Sequence, residues 1–154
     1  MPKVAPNILV VDDVKDWRLT LRGLLQDEGY QVKDAESSQK ALSLLAKEGF
    51  DLAVIDIRLD ETNEDDTEGI TLAKNIRNQW PQTQIIIITG YETPATLEEA
   101  MKPGPGGDRL VRNYILKKDT KKDLIPEVQK AIGIVLASYS GLGSQHDDRP
   151  NPGG

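Results

Sequence analysis

Residues 7–13 read NILVVDD: an apolar run, Ile8-Leu9-Val10-Val11, breaks off at Asp12 and Asp13. The same shape recurs three times. Leu52-Ala53-Val54-Ile55 runs into Asp56, Ile85 to Ile88 runs into Thr89, and Tyr114-Ile115-Leu116 runs into Lys117. Short runs rich in β-branched residues, without polar alternation, read as strands buried on both faces of a parallel sheet. The residue after each strand then lies on the carboxyl edge, where open α/β sheets bind ligands. Three carboxylates, a hydroxyl and an ammonium are expected to converge there.

Helical patterns fill the gaps between the runs. Residues 14–28 place Trp17, Leu21, Leu24 and Leu25 on one face, with Gly29 as the stop. Residues 30–35 alternate more than the other strands, as an edge strand does. Ser37 or Ser38 caps a second helix that Gly49 ends, and a third runs over about 69–80, closed by Pro81. A short fourth helix starts near Pro94 and stops before Pro103. The last helix, capped near Thr120, buries Leu124, Val128, Ala131, Ile132 and Val135, with Pro126 kinking it or delaying its start to Ile125. The alternation is (βα)5. Right-handed crossovers and two covered faces make this a doubly wound five-stranded parallel sheet of order 2-1-3-4-5, flavodoxin-like in class. Residues 1–140 form the domain, and the Gly/Pro/Asp-rich 141–154 are expected to be a disordered tail.

Composition narrows the function. The 154 residues suffice for one domain. No cysteine is present, which removes disulfides, thiol catalysis and cysteine-ligated metals and fits a cytoplasmic protein. A net charge of -6 argues against nucleic acid as the main partner. No apolar stretch reaches the ~18 residues of a membrane span. The single histidine, His146, lies in the tail.

Three clustered carboxylates need protons or a cation to balance them. Oxygen ligands without His or Cys favour a hard cation, and one or two carboxylates with a backbone carbonyl and waters suit Mg²⁺. A metal and the Lys117 ammonium beside one carboxylate would stabilise a transferring phosphoryl group. Asp56, alone at its strand end, is the candidate nucleophile for an aspartyl-phosphate.

VVDD, VIDIRL, ITG and YILKK, in this order and each at a strand end, resemble the signature positions of the response-regulator receiver domain, over roughly residues 6–138. The resemblance implies the CheY-like fold of two-component signalling and a role for each matching residue. Asp56 would be the phosphoacceptor. Asp13 would bind Mg²⁺ directly, Asp12 largely through water, and the backbone carbonyl of Arg58 would complete the protein ligands. Thr89 would be the switch hydroxyl, Lys117 the lysine that pairs with the phosphoryl group, and Tyr114 the aromatic that rotates inward. Arg58, Gly90 and Tyr91 would set phosphate lifetime and access. Trp17 receives no chemical role.

The expected protein is a stand-alone switch rather than an enzyme, catalysing only its own phosphorylation and dephosphorylation. The donor would be a histidine kinase or a histidine phosphotransfer protein. Output would pass by protein contact or homodimerisation through the face of the fourth helix, fifth strand and fifth helix, without nucleic acid or membrane. The chain departs from the family pattern in three places: Lys118 replaces the usual Pro after the lysine, the loop RLDETNEDDTEG after Asp56 is long and acidic, and KPGPGGDRLVRN precedes the fifth strand. These departures suit a second reading, an atypical receiver working as a phosphorylation-independent interaction module. A third reading, a Mg²⁺-dependent phosphohydrolase, wants a carboxylate two residues after the nucleophile, where Arg58 stands.

Overall fold

The computed structural model describes residues 5–59, 68–90, 102 and 113–144; for residues 113 and 134–144 it describes the backbone. Strands and helices alternate as β1 (Asn7–Val11), α1 (Lys15–Asp27), β2 (Gln31–Ala35), α2 (Ser38–Lys47), β3 (Leu52–Asp56), α3 (Glu68–Gln79), β4 (Gln84–Thr89), β5 (Asn113–Leu116) and α4 (Thr120–Ser144). The helix expected near Pro94, Tyr91 and most of the acidic loop lie outside the described residues. The helix labelled α4 is therefore the fifth of the sequence-based expectation. No helix of the described residues is long and apolar enough to cross a membrane.

All strand pairs are parallel, in the order β2-β1-β3-β4-β5. Register aligns the strand ends. Val11 lies opposite Ile55, Asp56 opposite Ile88, and Thr89 opposite Leu116. The residues that follow β1 and β5, and those that end β3 and β4, therefore share one edge of the sheet.

Side-chain alternation divides the core between the two faces. Leu9, Val11, Ala53, Ile55, Ile85 and Ile87 pack with Ala41 and Leu45 of α2 and Ile70, Leu72, Ala73 and Ile76 of α3. Ile8, Val10, Leu52, Val54, Ile86, Ile88 and Ile115 pack with Leu21 and Leu25 of α1 and Leu124, Val128, Ala131 and Ile132 of α4. Every residue of β3 is buried, which explains why its sequence shows no polar alternation. Full burial of Leu52, Val54 and Ile55 is worth about 1.5–3 kcal/mol each. The edge strand β2 exposes Gln31 and Lys33 and buries Val32 and Ala35.

Local signals act as expected at two helix ends. Ser37 Oγ accepts the Lys40 N–H at 3.2 Å and caps α2. Gly29, at φ 93°, closes α1, and its N–H donates to the Gln26 carbonyl at 2.9 Å.

The last helix begins where its cap is expected and runs further than expected. Pro126 does not delay the start: a 3-10 turn over Lys117–Asp119 leads directly into a helix that begins at Thr120, the residue expected near its cap. Thr120 is buried, and its hydroxyl donates to the Lys117 carbonyl at 2.7 Å, anchoring the first turn. Pro126 is exposed, so the carbonyl that loses its N–H partner can turn to water. At the far end the helix continues to Ser144, beyond the boundary expected at residue 140.

Candidate functional site

The acidic pair and Asp56 meet because β1 and β3 are neighbours in register. Val10 lies opposite Val54, both on the α1/α4 face, so Asp12 and Asp56, two residues further on, follow them. Asp12 is fully buried, Asp56 is 2 % exposed, and Asp13 is half-buried. One carboxylate oxygen from each of Asp12, Asp13 and Asp56 lies within 4.8 Å of the others.

Lys117 completes the cluster. Its Nζ donates to Asp56 Oδ2 at 3.0 Å and pairs with Asp12 Oδ2 at 3.3 Å. The lysine side chain is only 10 % exposed. Burial alone would lower its pKa; the Asp56 and Asp12 carboxylates more than reverse this and hold it above 10.5. Asp12 moves above its ordinary 3.8, chiefly through burial, with Asp13 adding in the same direction and the Val14 N–H and Lys117 opposing.

Backbone groups fix the two deepest carboxylates. Asp12 Oδ1 accepts the Val14 N–H at 2.9 Å, so one oxygen satisfies the start of α1 while the other faces Lys117. The turn that leads into α1 and the charge cluster thus use the same side chain. Asp56 Oδ1 accepts the Arg58 N–H at 3.3 Å.

Two further residues close in from α3 and β4. Gly69 donates its N–H to the Ile57 carbonyl at 2.8 Å, and a Cβ there would overlap the Asp56 carbonyl and come 2.8 Å from Ile57 Cα. Only glycine permits this approach. Gly90 is exposed, and a Cβ there would lie 3.7 Å from Lys117 Cδ, in ordinary contact. Thr89 is buried at the end of β4, and its register partner is Leu116, the residue before Lys117. Tyr114 is half-buried on β5, opposite Ile87, and packs against the α2/α3 core.

Three contributors were not assigned a role from sequence. Trp17 lies with its ring centroid 5.1 Å from Lys117 Nζ. Its position four residues before Leu21 was the available signal. Arg18 donates to the Asp12 carbonyl at 3.0 Å and to Asp34 Oδ2 at 3.2 Å, tying α1 to the ends of β1 and β2. Nothing in the local sequence announces that link. Gly69 is the third. Its signal was a glycine at a helix start beside a strand end.

The donor set fits a hard divalent cation. It consists of carboxylates, with one ammonium against three potential negative charges, and the buried Asp12 Oδ2 accepts no hydrogen bond. A pocket of about 450 Å³ lies elsewhere, at the amino end of the sheet, and is lined by Phe50, Asp51, Trp80 and Thr83 among others. Two of its polar groups are engaged structurally: Asp51 Oδ2 accepts the Asn7 N–H, and Thr83 Oγ1 donates to the Phe50 carbonyl.

Comparison with known proteins matches this geometry. Residues 8–129 match the family model of the response regulator receiver domain. The alginate biosynthesis transcriptional regulatory protein AlgB of Pseudomonas aeruginosa is 37% identical over 98 residues, covering 64% of this chain and 21% of that protein. The chain thus spans about a fifth of the length of the curated relatives it first matches. A receiver domain protein (CheY-like) from Methanospirillum hungatei superposes with a TM-score of 0.75 at 25% identity, over 88% of this chain and 99% of that one. The response regulator TrrA of Thermotoga maritima, solved in complex with Mg²⁺-BeF, gives 0.66 at 28% identity over 82% and 98%.

Proposed function

The chain belongs to the response regulator receiver domain family, and on that premise we propose that it is a phosphorylation-dependent switch whose acceptor is Asp56. The observation that carries this reading is the Lys117 ammonium bridging Asp56 and Asp12 on the carboxyl edge of the sheet.

Asp56 attacks the phosphorus of a phosphohistidine on a histidine kinase or phosphotransfer protein. An O–P bond forms, the P–N bond breaks, and the imidazole nitrogen leaves with the electron pair. The Arg58 N–H on Oδ1 and Lys117 on Oδ2 hold the carboxylate ready for this attack. Asp12, Asp13, Asp56 and the Arg58 carbonyl would hold Mg²⁺, which would supply charge neutralisation for the transferring oxygens. Lys117, already within hydrogen-bond reach of Asp56, passes to a phosphoryl oxygen. Gly90 leaves the approach along the lysine stem open.

The switch follows from what the new charge attracts. A phosphoryl group brings about -1.5 to -2 charge and three strong acceptors. The buried Thr89 hydroxyl turns toward it, and Tyr114, half-buried at the sheet edge, moves inward. Output passes through a protein contact on the face that includes β5 and α4, to a downstream partner or a second copy.

Incubation with a small acyl phosphate and Mg²⁺ followed by intact mass measurement tests this. One phosphoryl group should add to the protein and none to Asp56→Ala. No addition to the natural chain, or addition that survives Asp56→Ala, refutes the reading and leaves a phosphorylation-independent module.

A further inference from the structure

Among the described residues, three groups lie at the charged end of Lys117, and two of them are explained. Asp56 Oδ2 takes a hydrogen bond and Asp12 Oδ2 an ion pair. The third is the indole of Trp17, whose centroid lies 5.1 Å from Nζ, within the ~6 Å range of a cation–π contact.

The ring stands on a fixed support. Trp17 is in the first turn of α1, and Leu21 and Leu25, one and two turns further along the same stripe, are fully buried. The next residue, Arg18, is tied to the Asp12 carbonyl and to Asp34. The lysine stem, by contrast, has four flexible carbons and a point charge with no geometry of its own. Along its length it passes exposed Gly90, which offers no side chain. The indole is therefore a large, fixed surface against a flexible cation at the point where its position matters.

We propose that Trp17 is a positioning residue that holds the Lys117 ammonium over Asp56 by a cation–π contact. The inference rests on the reading of Asp56 as phosphoacceptor. Transfer obliges Lys117 to exchange a carboxylate oxygen for a phosphoryl oxygen, and the ring is the contact that persists through that exchange. Trp17 touches no reacting atom. It acts through Lys117.

The test is a double-mutant cycle, Trp17→Leu and Lys117→Met singly and together, with Trp17→Tyr as the conservative variant. Rates of phosphoryl addition from a small acyl phosphate with Mg²⁺ are read by intact mass. Trp17→Leu should slow addition about two- to fivefold, the range of a partly exposed cation–π contact. Trp17→Tyr should retain at least about half the rate, because it keeps a π face. In the Lys117→Met background, Trp17→Leu should cause no further loss. A Trp17→Leu protein at the natural rate, or the same loss in both backgrounds, overturns the proposal, since the ring then acts on something other than the ammonium.

A second readout needs no phosphorylation. The chain has two tryptophans, so Trp80→Phe leaves Trp17 as the only indole. Its emission should shift when Lys117→Met is added, and unchanged emission overturns the proposal. If the natural chain takes up no phosphoryl group, the functional reading fails by itself and emission alone decides the contact. The same measurement decides if Trp17→Leu does not fold.

Discussion

Neutralising Asp12 should stabilise the metal-free protein, although it removes an ion pair. Asp12 Oδ2 lies 3.3 Å from Lys117 Nζ, an attraction of about 5 kcal/mol at an effective dielectric constant of about 20. Its carboxylate also lies within 4.8 Å of those of Asp13 and Asp56, and each repulsion is at least about 3.5 kcal/mol on the same scale. The two repulsions together exceed the attraction, and burial opposes the charge further. Asn retains the acceptor for the Val14 N–H. Lys117 retains Asp56. Asp12→Asn should therefore raise unfolding stability by about 1–2 kcal/mol in EDTA, after discounting for relaxation and residual solvent. Urea denaturation with and without Mg²⁺ is the assay. The natural chain should gain about 2.7 kcal/mol at a Mg²⁺ concentration one hundred times its dissociation constant, and Asp12→Asn should gain much less. The pH dependence gives a second check. The folded pKa of Asp12 is raised above 3.8, so its contribution to stability is complete below 3.8 and is lost as pH rises through the folded value. That fall should be smaller in Asp12→Asn. A metal-free Asp12→Asn protein less stable than the natural chain, with an unchanged Mg²⁺ response, would refute the charge accounting.

Lys117→Met leaves the carboxylates uncompensated and should cost about 3–5 kcal/mol in EDTA by chemical denaturation, with Mg²⁺ restoring part of the loss. Because the folded pKa of Lys117 lies above 10.5, its contribution is complete below 10.5 and disappears only as pH rises through the higher folded value; stability profiles of the two proteins should converge there. Gly69→Ala forces a methyl group into the Asp56–Ile57 backbone, and thermal melting should show a loss of about 3 kcal/mol, at the upper end for overpacking. Gly90→Ala meets only ordinary contact and should stay within about 0.5 kcal/mol in the same assay. Ser37→Ala removes the side-chain cap of α2 and should cost about 1 kcal/mol by denaturation.

The sheet was legible because its signal is local. Ile85 to Ile88 can be buried only if both faces of β4 are covered, and the structure covers them with α2 and α3 on one side and α1 and α4 on the other. Strand ends also carry positional information, so Asp12, Asp13, Asp56 and Lys117 could be assigned to one edge before any coordinates. What could not be read depends on distance across the fold. Gly69 reads as an ordinary helix-start residue until α3 is brought against Asp56. Trp17 reads as the head of an apolar stripe until β5 delivers Lys117 beneath it. Each of these is a tertiary contact overriding a sound local rule.

The same contrast bears on how the site can respond to its input. A parallel core buried on both faces gives the sheet stability to spare, and it supports a cluster that would not persist alone: Asp12 and Asp56 almost without solvent, sharing one ammonium. Lys117 cannot satisfy both carboxylates and a phosphoryl group with equal strength. On the proposed reading, phosphorylation concentrates charge at Asp56 and draws the lysine away from Asp12, whose carboxylate is then left to the cation. On that reading, the division of Lys117 between its two partners, 3.0 Å and 3.3 Å away, is what phosphorylation changes. On the same reading, Thr89 and Tyr114 respond to the charge that the transfer leaves at Asp56.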